Sequence, residues 1–157
     1  MIKVNSLLFA SALMLSPLLQ AAEHGSKTEA AEHGSKTEAA EKAPQQTKLY
    51  IISPKDGEKV PQTFTVKFGL SGMGVAPAGV ERENTGHHHL LIDVDDMPDL
   101  SKPLPATENI IHFGGGQTET QVTLPPGKHT LQLVLGNYMH VPHKNPVVSK
   151  KITVVVE

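Results

Sequence analysis

Five of the chain's nine histidines stand in two short clusters, Gly86-His87-His88-His89 and His140-Val141-Pro142-His143. Imidazole is the commonest protein ligand for transition metals and the side chain that titrates nearest neutral pH. Residues two apart on a strand face the same side, so His87 and His89 project together while His88 turns towards the core face. A His-X-His pair on a strand is a chelating arrangement, to which His140, His143 and His112 can add nitrogens. The chain holds no cysteine, which removes thiolate ligands and disulfides. All-nitrogen ligation, with Met73 or Met139 as an optional thioether, suits one ion of copper, zinc or nickel. Asp93, Asp95 and Asp96 are the nearest carboxylate alternatives, although their place before Met97-Pro98 fits a solvated turn. Ligation needs neutral imidazole, so affinity is expected to fall below roughly pH 6.5.

Whether these clusters meet depends on the elements that carry them. Phe64, Val66, Phe68 and Leu70 alternate with Thr65, Lys67 and Gly69, the pattern of a half-buried antiparallel strand. The same alternation or a short apolar run predicts strands over 48–52, 87–94, 118–124, 128–135 and 147–156. No convincing helical period occurs. The expected fold is all-β, an immunoglobulin-like antiparallel β-sandwich of about six to seven strands. Successive strands then run in opposite directions, with Pro125-Pro126-Gly127 turning the chain at one end. His87 to His89, the approach His112-Phe113-Gly114-Gly115-Gly116, and the loop from Asn137 to Pro146 all fall at the other end. Gly114 to Gly116 can let backbone approach a ligand closely or take positive φ; with no Lys-Ser or Lys-Thr after them they are not a phosphate loop. His129 begins its strand at the opposite end and reads as a partly buried structural residue.

The first 46 residues are of another kind. Lys3 followed by the apolar stretch Leu7 to Leu19 and the small pair Ala21-Ala22 predicts a secretory signal peptide over 1–22. The stretch is shorter than the roughly 20 apolar residues of a membrane span, so no span is expected after cleavage. Ala21 to Glu29 recurs as Ala30 to Glu38. A nine-residue period without large apolar residues cannot bury a core, so 23–46 is expected to be a flexible linker in which His24 and His33 are solvated. The folded domain is then 47–157. The formal charge of −2 gives no sign of a nucleic-acid partner.

Four segments occur in order: Gly72 to Gly79, Asn84 to Asp93, His112 to Glu119, and His140 to His143. Together they resemble the exported bacterial family known as domain of unknown function 4399, over about residues 50–156. The resemblance implies a small secreted or periplasmic β-domain and carries no established activity. Three function classes stay open. The first is a periplasmic metal-binding protein handling copper or zinc on His87, His89, His140, His143 and His112. The second is a non-catalytic cell-envelope interaction module that recognises an envelope protein or glycan. The third is a metalloenzyme like copper-zinc superoxide dismutase, whose disulfide this chain cannot form. No nucleophile arrangement and no His-Glu-X-X-His motif supports hydrolysis, so the balance leans away from an enzyme.

Overall fold

The computed structural model describes residues 42–157. The expected signal peptide and most of the expected linker lie outside the described residues. Ordered packing begins slightly ahead of Thr47: Ala43 is buried in the core, and the Thr47 amide donates to the Pro44 carbonyl at 3.1 Å. No helix among the described residues is long and apolar enough to cross a membrane.

Among the described residues nine strands form in chain order: β1 (Lys48–Ser53), β2 (Lys59–Val60), β3 (Thr63–Ser71), β4 (Gly74–Val75), β5 (Thr85–Ile92), β6 (Ile110–His112), β7 (Glu119–Thr123), β8 (Gly127–Gly136) and β9 (Ile152–Val156). They make two sheets, β1-β3-β7 and β2-β9-β8-β5-β4, with β6 also paired to β5. The long strands divide as expected for an immunoglobulin-type sandwich, and each expected strand has a counterpart. β2, β4 and β6 are additions, because elements of two or three residues are too short to show alternation in sequence. Pairing also departs from a purely antiparallel scheme, since β2 runs parallel to β9 and β4 parallel to β5. The expected strand over 147–156 is regular only from Ile152; Val148 makes an isolated bridge to Val134.

The main core lies between the sheets. Phe64, Val66 and Phe68 of β3 and Val122 of β7 meet Leu90 and Ile92 of β5, Leu131, Leu133 and Leu135 of β8, and Val154 and Val156 of β9. Alternation produces this directly, because every second residue of each strand faces inward. β5 breaks the rule of one wet face: from Gly86 to Ile92 every residue is buried. A second apolar cluster explains it. Leu91, Ile110 and Val134 pack on the outer face of the larger sheet beneath Leu104, flanked by Val94, Leu100 and Val148. The connection between β5 and β6 thus folds back as a cover.

Candidate metal centre

Beneath that cover, His87 and His89 occupy the outer face of β5 and are almost wholly buried, at 0 % and 1 % exposure. β6 pairs with β5 so that His112 stands directly opposite His89. The reach of β6 to this position was not visible in sequence, where His112 belonged to a loop. On the other flank β8 sets Val134 opposite His89 and Gly136 opposite His87. Gly136 has a steric reason to lack a side chain, since a Cβ there would stand 2.8 Å from His89 Cε1. A Cβ on Gly114 would likewise stand 2.4 Å from His112 Cε1. Two glycines therefore leave the space that two imidazoles fill.

His140 arrives from the loop after β8. Asn137 organises that loop: its Oδ1 accepts from the amides of Met139 (2.9 Å) and Val141 (3.1 Å), while its carbonyl accepts from the His140 amide at 2.9 Å. His140 itself takes φ 66°, a conformation few non-glycine residues adopt and one that clusters at functional sites. Its carbonyl accepts from the Leu104 amide at 3.0 Å, tying this loop to the cover.

The result is a group of four histidines, His87, His89, His112 and His140, in which one ligand atom from each lies within 4.8 Å of all the others. His140 Nδ1 and His87 Nε2 are 3.2 Å apart. Ring centroids are 4.6 to 5.1 Å apart for five of the pairs and 6.3 Å for His89–His140. Buried ring nitrogens at His87 Nδ1, His89 Nδ1 and His112 Nε2 make no hydrogen bond, a costly state for polar atoms unless something binds there. Burial pushes the His87 pKa down to about 4, assisted by His112, His140 and His88. Burial also takes His89 to about 3, with the other three rings adding to it and the Val134 backbone opposing. His112 is lowered by burial and by His140. The neutral, lone-pair-bearing form that a metal needs is thus the resting form of these rings. The donor set, the unpaired nitrogens and the glycine cradle all fit a transition-metal ion.

The family model described as Domain of unknown function (DUF4399) matches residues 66–157. The chain belongs to the DUF4399 family. The matched region begins inside β3 and contains all four histidines and both cradle glycines. No curated protein matches the chain. Among solved structures, the endo-beta-1,4-mannanase from Thermotoga petrophila is similar at 16 % identity and a TM-score of 0.41, over 72 % of this chain and 20 % of that one. The chain spans about a fifth of that enzyme, a likeness too distant to carry an argument about this domain.

Of the expected donors, this DUF4399 domain brings together His87, His89, His112 and His140 and leaves His143 outside the group, buried at 1 % exposure. Pro142 is bridged to Gly136, so the chain has already turned back along β8 by the time it reaches His143. His88 lies in the main core as expected, its ring 5.1 Å from that of Phe68. Neither of its nitrogens makes a hydrogen bond of ordinary geometry, and burial lowers its pKa against a weaker opposing effect of the Gln117 backbone. His129 is structural: Nδ1 meets Asp93 Oδ2 at 2.6 Å and Nε2 meets the Pro125 carbonyl at 2.9 Å. Asp93, weighed as a carboxylate ligand, is occupied there and by the Thr130 amide (2.8 Å). Met73 packs against the core, and Met139 is exposed. A cleft of about 640 Å³ between β1 and residues 145–152 is lined by no histidine or acid. Gly136, Asn137 and Leu104 carry no sign of the site in sequence beyond the glycine that closes a strand of alternating leucines. Gly114, expected to let backbone approach a ligand, instead makes room for the His112 ring.

Proposed function

We propose that this DUF4399 protein is an exported metal-binding protein, periplasmic or secreted, that holds one copper or zinc ion on His87, His89, His112 and His140. The observation that carries the reading is the assembly of four imidazoles beside one covered sheet face, with buried nitrogens on three of them left unpaired. Four protein donors fill a four-coordinate ion, as in sites that hold an ion, whereas catalytic zinc sites keep a position open for water. The proposal therefore assigns binding or handling and no reaction. Export rests on Lys3, the apolar stretch to Leu19 and the Ala21-Ala22 pair, with the repeat-containing residues ahead of the packed Ala43 as a linker leading into the domain.

The test is calorimetric titration of the mature protein with Cu(II) and Zn(II). One ion per chain is expected for at least one of the metals. The double variant His112→Ala, His140→Ala, which alters the two half-buried donors, should abolish binding and keep the far-ultraviolet circular dichroism of the fold. Unchanged titration in that variant sinks the site. Should the unaltered protein bind neither metal, the metal reading falls and an envelope-interaction module takes its place.

A further inference from the structure

We infer that the ion this site selects is monovalent copper. The inference rests on the metal reading above and adds the oxidation state of the cargo. Two independent observations lead to it, the arrangement of the rings and the charge of the donor set.

Imidazole nitrogens bind at about 2.0–2.1 Å from a metal, which sets ring centroids about 3.2 Å from the ion. Four rings disposed tetrahedrally then have all six centroid pairs near about 5.2 Å, whereas a square plane gives four pairs near about 4.5 Å and two opposite pairs near about 6.4 Å. Here one pair is long, His89–His140 at 6.3 Å. The pair that would have to be long with it in a square plane, His87–His112, is only 4.8 Å. The remaining pairs run from 4.6 to 5.1 Å. Cu(II) favours tetragonal fields. A filled d shell imposes no such demand, which leaves Zn(II) and Cu(I).

Charge separates these two. All four donors are neutral imidazoles, no carboxylate joins the group, and no cysteine exists to supply a thiolate. The two inner rings are fully buried. An ion held here is shut away from water on its His87 and His89 side, and the penalty for burying uncompensated charge rises steeply with that charge. Structural zinc sites commonly offset it with thiolates. A four-imidazole set without a counter-charge favours the singly charged ion, and with copper it favours the reduced state.

The experiment uses the full mature chain under argon. Cu(I) is titrated against the chromophoric chelator bicinchoninate, zinc-loaded protein is challenged with one equivalent of Cu(I), and the midpoint potential of the copper-loaded protein is measured. Cu(I) should displace the zinc. The Cu(II)-to-Cu(I) preference should move at least tenfold towards Cu(I) relative to aqueous copper, an upward shift of about 59 mV or more for one electron. Single variants His112→Gln and His140→Gln, both at half-buried positions, should each weaken Cu(I) binding at least tenfold with the circular dichroism unchanged. Zinc retained against Cu(I), or a midpoint at or below that of aqueous copper, overturns the inference and leaves the metal reading standing. Failure to retain any of the three ions overturns both.

Discussion

At the scale of single residues, histidines of this domain take opposite roles by environment. His87 and His89 are buried among other imidazoles and have pKa values lowered to about 4 and about 3. His129 has both ring nitrogens against oxygen acceptors, a carboxylate and a carbonyl, which only the imidazolium can satisfy as a double donor. Its pKa is raised, chiefly by the Asp93 hydrogen bond. The two kinds bound the stability of the metal-free protein from opposite sides. For His87 and His89 the unfolded chain takes up protons first, so stability falls as pH drops from about 6.5 towards 4, by at most roughly 1.4 kcal/mol per pH unit for each ring. His129 contributes fully below about pH 6.5, and that contribution is lost as pH rises through its raised pKa. Urea midpoints should therefore peak near pH 6.5 and decline on both sides. In Asp93→Asn the alkaline decline should flatten while the acid decline persists. Ring nitrogen shifts of His87 and His89 should still report neutral imidazole at pH 5.5, lower than the onset expected from free histidine.

Among the elements, β5 is the one whose setting departs most from its pattern. Alternation assigns His87, His89 and Leu91 to an outer face that is normally wet, and the cover carrying Leu100 and Leu104 buries it. β8 adapts on the same face by ending in Gly136. Gly136→Ala should push the His89 ring from its place, lower metal affinity at least tenfold, about 1.4 kcal/mol, and destabilise the metal-free form by about 1–3 kcal/mol. Competition titration of the variant against a chelator checks this. Asn137→Ala removes the acceptor of two loop amides. It should destabilise the metal-free domain by about 1 kcal/mol and release metal several times faster, because His140 loses the turn that holds its positive φ. Stopped-flow transfer to a chelator measures the rate.

Taken as a whole molecule, the sandwich brings its four candidate donors together from β5, β6 and the loop after β8, which the unfolded chain keeps far apart. Under the proposed function, binding is coupled to folding. At free metal a hundredfold above the dissociation constant, the domain should gain about 2.7 kcal/mol, a rise in melting temperature on the order of 10 °C for a domain of this size. Scanning calorimetry with and without metal reads that shift, and its absence in His112→Ala, His140→Ala would assign it to the site. Removing residues 1–41 should leave affinity unchanged, since all four proposed donors lie in 42–157.

Strand alternation by itself determined the long strands, the sandwich and the end at which most of the histidines gather, because a period of two is a local property of the chain. It also separated His87 and His89 from His88, and it set His129 apart. Only the tertiary structure shows that His112, and not His143, joins the group. The first is delivered by a three-residue strand and the second removed by a loop reversal, and neither leaves a local signature in sequence. Burial of the His87–His89 face was equally hidden. It depends on a connection of irregular backbone folding over the sheet and on two absent side chains, at Gly114 and Gly136, whose meaning appears only when the rings they make room for are in place.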